Sequence, residues 1–198
     1  MEWIQRKWNN YWQAYFHLVH SGTTGERILL CFSFAGLIGI SAQLRLTLPF
    51  TPVPVTAQVY LVLLTGILLG KIAPVSLIIY LAGGIFGIPW FSGATSGFSL
   101  FTFGYLVGFV PASFLIGFFS EKSSQFRQVV PQICLMLAGI AIIYLCGTIW
   151  LCSFLGWGWK KSLLLGVLPF IPFDLIKAYL AGLTASILLP AERGYLGI

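Results

Sequence analysis

Six apolar runs dominate the chain, at about residues 28–46, 57–69, 73–86, 99–119, 129–152 and 172–190, with polar positions gathered between them. Each run predicts a helix that satisfies its own backbone hydrogen bonds, the condition for crossing a bilayer. The second and third are short against the roughly 20 residues that a spanning helix needs. They predict helices that stop early and hand over to loops covered by protein, since irregular backbone is tolerated at membrane depth only where protein or a cavity shields it. In transporters, interrupted spans often point at the solute site. Ahead of the first run, residues 1–20 read as an amphipathic helix ended by Ser21-Gly22. Ile4, Trp8, Tyr11, Trp12, Tyr15, Leu18 and Val19 share one broad face, while Gln5, Arg6, Asn9, Gln13, His17 and His20 lie mostly elsewhere. Such a helix either lies in the membrane–water interface or packs on the bundle. The expected fold is an all-α integral membrane protein. An N-terminal amphipathic segment over residues 1–24 precedes a bundle of six transmembrane helices over residues 25–198, with structured extracytoplasmic loops. No internal repeat is evident.

Composition agrees with the pattern. Hydrophobic residues make up 58% of the 198 positions and charged ones only 8%, against about a quarter charged in a soluble domain. In water such a surface would expose large apolar patches; in lipid it faces its own solvent. The net charge of +6 comes from basic residues scattered singly between apolar runs. They read as topology signals and not as a nucleic-acid footprint. Arg6, Lys7 and Arg27 precede the first span, and Lys71, Lys122, Arg127 and Arg193 fall on the same side if there are six spans. The loops near 47–56, 88–98 and 153–171 lie on the other side and carry only Lys160 and Lys161. This bias puts both termini in the cytoplasm and the three loops outside, in a multi-pass protein of the cytoplasmic membrane. Cys31, Cys134, Cys146 and Cys152 show no CxxC or Cys/His ligand spacing and read as small buried hydrophobes. The first long apolar run has no matching cleavage pattern, so no secretory signal is expected.

The outer loops are the distinctive ones. The first, Thr47-Leu-Pro-Phe-Thr-Pro-Val-Pro-Val-Thr56, carries three prolines that block helix and favour extended backbone. The second, Ile88-Pro-Trp-Phe-Ser-Gly-Ala-Thr-Ser-Gly97, is rich in small residues. The third contains Gly166-Val-Leu-Pro-Phe-Ile-Pro-Phe-Asp174. Three structured, mostly apolar loops on one face predict a lidded pocket, with Pro52, Val53 and Pro54 as its gate.

Candidate chemistry is sparse. Of the five acids, Glu2, Glu26, Glu121 and Glu192 lie in terminal segments or a charged loop. Asp174 alone opens an apolar span, with Lys177 three residues on and therefore on a neighbouring part of the same helix face. A charge inside a membrane span costs about 2.5–3.5 kcal/mol on insertion scales, so each needs a partner or a wet cavity. The pair either caps the last helix or receives a small polar solute, the carboxylate accepting N–H donors and the ammonium pairing with an acid. Gln58, Thr95 and Ser96 are further polar candidates, and Trp90 and Phe91 offer rings for stacking. Catalysis is poorly supplied: no second carboxylate accompanies Asp174, His17 and His20 lie outside the spans, and neither a metal-ligand cluster nor a Walker phosphate loop is present. The chain is expected to be no enzyme and to need no cofactor or metal. Ala35 and Gly39, four apart in the first span, would let a neighbouring helix approach closely, either a partner's or one of the bundle's own.

Together these segments resemble the BioY family, the substrate-binding S components of energy-coupling factor (ECF) biotin transporters. Pro49-Phe-Thr-Pro-Val-Pro-Val-Thr56 with Gln58 is close to the family's PFTPVPxT-x-Q loop, and Gly166 to Lys177 is close to GVLPFxPGDxxK. Tyr144-Leu-Cys-Gly-Thr-Ile-Trp-Leu151 resembles YLxGxxWL, and Gly87-Ile-Pro-Trp-Phe-Ser-Gly93 resembles GxPVFAG. The likeness runs from about Ala42 to Ala181. Phe173 stands where the family pattern has glycine, and Leu100-Phe-Thr-Phe-Gly-Tyr105 where it usually reads GPTGGY. The resemblance implies six transmembrane helices and high-affinity biotin capture and uptake from the outer face. It also implies a cytoplasmic power unit made of a transmembrane scaffold protein and two ATPase subunits. It carries over Asp174 and Lys177 as the binding pair, one for the ureido N–H groups and the other for the valerate carboxylate, in either order. An S component for another small vitamin, or a solitary biotin transporter, is the alternative.

Overall fold

The computed structural model describes residues 11–188, apart from 13, 16, 124, 125 and 127. Glu2, Ile4, Gln5, Arg6, Lys7, Trp8, Asn9, Gln13, Arg127, Glu192 and Arg193 thus fall outside the described residues.

Helix α1 (Thr24–Gln43) opens on a capping box. The Thr23 hydroxyl accepts from the Glu26 N–H, and the Glu26 carboxylate accepts from the Thr23 N–H at 2.8 Å, satisfying donors that a helix start leaves free. The first apolar run was expected to reach residue 46. Instead, Arg45–Leu46 (β1) pairs antiparallel with Val55–Thr56 (β2), Arg45 opposite Thr56. The proline-rich stretch between them is the hairpin's tip.

Helices α2 (Gln58–Leu69) and α3 (Ala73–Ile85) follow, joined by a single 3-10 turn over Gly70–Ile72. Gly70 has φ +59°, a left-handed value that favours glycine. A Cβ there would also strike the Glu121 carboxylate. Pro74 suits the first turn of α3, where its missing N–H has no helical partner to lose. The two helices fold back on each other: the Gln58 amide at the start of α2 donates to the Tyr80 hydroxyl near the end of α3, at 2.7 Å. Twelve and thirteen residues give helices of only about 18–20 Å, shorter than the hydrocarbon core. At one end the difference is made up by the hairpin and by residues 86–102, which bury Val53, Val55 and Phe91.

Helix α4 (Phe103–Lys122) contains Pro111, α5 (Val129–Leu155) ends on a left-handed Gly156, and a short helix α6 (Trp159–Gly166) leads through a 3-10 turn into α7 (Ile171–Leu188). The third outer loop is thus largely helical. Five stretches are long and apolar enough to cross a membrane: 24–43, 58–85, 103–122, 129–155 and 159–188. Because 58–85 doubles back at Gly70, the chain makes six passes. The core divides along the bundle axis. Tyr80, Phe91, Tyr105, Phe109 and Phe170 fill one end, which carries the hairpin. Leu63, Leu69, Met136 and Ala185 pack nearer the other. A belt of exposed apolar side chains, among them Leu29, Ile40, Phe114, Leu145 and Ile187, covers the outside, as a lipid-facing surface requires.

The described part of the N-terminal segment is helical at 11–12, 14–15 and 17–21 and packs on the bundle at the end away from the hairpin. Trp12 and Tyr15 join the core there, and the Tyr15 hydroxyl donates to the Leu68 carbonyl at 3.2 Å. Burial pushes the Tyr15 phenol above its ordinary pKa, which keeps it a donor.

Candidate functional site

Beneath the hairpin lies a pocket with about 560 Å³ of free space, open mouth included. Val53, Pro54, Val55 and Thr56 form its roof. Gln58 and Val59 line it from α2, Tyr105, Leu106 and Phe109 from α4, Ile143 and Tyr144 from α5, and Asp174 and Lys177 from α7. Ser92, Thr102 and Phe170 complete the wall. Apart from one polar corner the lining is mostly apolar, the arrangement that fixes a ligand's orientation while burying its surface.

The polar corner is built by α7. Asp174, 4% exposed, sits in its first turn, where the helix dipole favours an anion. One carboxylate oxygen accepts from the Lys177 ammonium at 2.7 Å and the other from the Tyr144 hydroxyl at 2.7 Å. The Lys177 side chain is 15% exposed. Its ammonium carries three N–H donors, makes one hydrogen bond among the described residues, to Asp174, and belongs to a side chain that lines the cavity. Tyr105, whose ring lies where a Cβ on Gly147 would be, donates to the Gly166 carbonyl at 2.7 Å and pins the entry to α7. Phe173 leaves that entry helical, since α7 runs unbroken from Ile171.

Next to this corner, Gln58 is buried, donating to Tyr80 and accepting from the Thr56 hydroxyl at 3.3 Å. Thr51 ties the hairpin to the opposite wall by donating to the Leu165 carbonyl at 2.7 Å. Val53 and Pro54 face the cavity, whereas Pro52 is exposed on the outside of the tip.

The second outer loop is placed differently from its sequence reading. Phe91, 1% exposed, is a core residue whose ring lies against Gly84 and meets Tyr80 edge-on at 5.3 Å. Trp90 lies over Gly39 and Gly83 and packs on Tyr80 at 5.3 Å. Neither ring lines the pocket; both pack on Tyr80, which in turn holds the lining residue Gln58. Thr95 bridges to Phe91 on an exposed turn, and Ser96 is exposed beside it. The Gln43 amide holds this loop, donating to the Trp90 and Phe91 carbonyls and accepting from the Ala94 N–H at 2.9 Å. The residue that does reach the cavity is Ser92, whose hydroxyl is buried without a partner. Ala35 and Gly39 are both buried within the bundle, Gly39 against Trp90, so this small-residue face serves the chain's own packing and not a partner's.

Sequence reasoning missed Tyr144, Tyr105, Ser92 and Thr102. Tyr144 lies within a motif noticed above, but nothing in local spacing ties residue 144 to residue 174. Among the described residues no group of His, Cys, Asp and Glu is disposed to hold a metal ion.

The model of the BioY family matches residues 16–193. A probable biotin transporter BioY of Pyrococcus horikoshii is 35% identical over 165 residues, covering 81% of this chain and 94% of the relative. The biotin transporter BioY of Thermotoga maritima is 34% identical, covering 77% and 89%. Among solved structures, the S-component for biotin from an ECF-type ABC transporter aligns with a TM-score of 0.75 and 27% identity, over 84% of this chain and 93% of that one.

Proposed function

Because the chain belongs to the BioY family, we propose that it captures biotin in the pocket beneath the proline-rich hairpin and delivers it for uptake as the substrate-binding component of an ECF transporter. It is a transport protein and not an enzyme. The observation that carries the site assignment is the buried Asp174–Lys177–Tyr144 cluster at the polar corner of an otherwise oily cavity.

The two charged groups touch, and this bears on their roles. The ureido ring and the carboxylate of biotin are separated by the fused thiophane ring and a chain of methylenes, so adjacent side chains address one end of an extended ligand. A cyclic urea presents N–H donors beside a carbonyl acceptor. Asp174 supplies the acceptor and Lys177 the donor, side by side, and Tyr144 holds the carboxylate in line. This reading differs from a split of the pair between the two ends of the vitamin. Ser92 and Gln58 are then the polar groups left for the rest of the ligand.

The pocket opens to the outside and both termini lie in the cytoplasm. The basic residues Arg27, Lys71 and Lys122 at the far end support this orientation, though Arg45 joins Lys160 and Lys161 at the pocket end. A scaffold protein with two ATPases would act at the cytoplasmic end.

Equilibrium binding of labelled biotin to the purified protein tests the reading. Asp174→Asn and Lys177→Ala should each weaken binding at least tenfold, about 1.4 kcal/mol. The loss in Lys177→Ala should be the same for biotinamide, which has no carboxylate. Near-normal binding in both variants removes the site. A loss confined to the free acid restores the split assignment.

A further inference from the structure

The segment joining α5 to α7 carries a surface that biotin capture does not use. Ser162, Gly166 and Phe170 pack inward. On the other side, Lys160, Leu163, Leu164, Val167, Leu168 and Ile171 recur at helical spacing and line one shallow groove with about 670 Å³ of free space, mouth included. Lys160 is its sole polar lining residue. Lys161 stands beside it, its ammonium 4.6 Å from the centre of the Trp157 ring. Trp157 and the exposed Trp159 have the amphipathic character of side chains at the membrane–water boundary.

Neither lysine has an acidic partner among the described residues. The acids among the described residues are Glu26, bonded to Thr23, Glu121, paired with Lys71, and Asp174, enclosed in the pocket. Two adjacent unneutralised cations on the outer side also run against the positive-inside tendency, which calls for a local partner. The segment is held firmly enough to present a fixed surface, because its Leu165 and Gly166 carbonyls accept from Thr51 and Tyr105.

We propose that this stripe binds one anionic phospholipid of the pocket-side leaflet, with the phosphate at Lys160 and Lys161 and an acyl chain along Leu163, Leu164, Val167, Leu168 and Ile171. Charge complementarity chooses the headgroup, and the wholly apolar remainder of the groove chooses a chain over a soluble anion. The groove shares no lining residue with the vitamin pocket.

The test uses full-length protein in phosphatidylcholine bilayer discs, carrying a small share of either fluorescent phosphatidylglycerol or fluorescent phosphatidylcholine, with energy transfer from a dye placed near residue 158. Wild type should retain the anionic probe up to about thirtyfold better, the scale expected for two lysines near a charged lipid surface. Lys160→Gln with Lys161→Gln should bring the two probes to parity, and Lys122→Gln at the opposite end should change nothing. Leu164→Asn should weaken retention of the anionic probe with both lysines intact. No preference in wild type, a preference that survives the double lysine change, or one abolished by Lys122→Gln overturns the proposal.

Discussion

Two lysine–carboxylate pairs stand at opposite ends of this bundle, and their surroundings give them different work. At the far end, Lys71 meets Glu121 at 3.3 Å with side-chain exposures of 57% and 18%. Glu121 also accepts the Lys71 backbone N–H, which steadies the turn between α2 and α3. Water and counter-ions reach such a pair, so its attraction adds little. At the pocket end, Lys177 meets Asp174 at 2.7 Å with exposures of 15% and 5%. Taking two charges out of water costs more than their attraction readily returns. Tyr144 lowers that cost by satisfying the second carboxylate oxygen. A dry ion pair with spare donors at the edge of a cavity is costly as a structural device and well suited to a polar ligand.

The sharpest way to break the comparison is to remove one member of the dry pair. Lys177→Met leaves a buried, uncompensated carboxylate and should cost about 3–5 kcal/mol, seen as a lower unfolding temperature in detergent. Adding Asp174→Asn should recover most of the stability but no biotin binding, which separates folding from recognition. If the single variant is as stable as wild type, the corner is wetter than the structure indicates. Next in size is Tyr144→Phe, which deletes one hydrogen bond to a charged acceptor, worth about 1.5–3 kcal/mol. Titration with labelled biotin should show weaker binding, and an unchanged affinity would remove Tyr144 from the site. The smallest effect belongs to Glu121→Gln. Glutamine keeps an acceptor for the Lys71 N–H and loses only the exposed ion pair, a change below about 1 kcal/mol, with biotin affinity untouched. A large loss there would mean that the two ends are coupled.

Much of the frame was legible in the sequence because it depends on local pattern. The short second and third runs, the proline block and the Asp174–Lys177 spacing all anticipated features that the structure contains. The second outer loop was not legible at residue resolution. Trp90, Phe91 and Ser92 are consecutive, yet only Ser92 meets the cavity, because Gly83 and Gly84 on α3 leave room for the two rings behind it. Aromatic rings in a loop look the same in sequence whether they stack on a ligand or plug a gap between helices. Ala35 and Gly39 pose the same ambiguity: small-residue spacing says that something approaches closely and leaves open what it is.

By itself, the sequence determined that the chain lives in lipid, crosses it six times and sets an acid and a base one helical turn apart at the start of an apolar span. Those properties follow from composition and from periodicities shorter than a helix. Only the tertiary structure decided that Tyr144 completes the Asp174 carboxylate across thirty residues of chain, that the N-terminal segment docks on the bundle, and that the short sixth helix turns a basic and apolar stripe outward. Such contacts depend on how helices cross and which faces they share, and packing between distant segments leaves no periodic trace in the residues that make it.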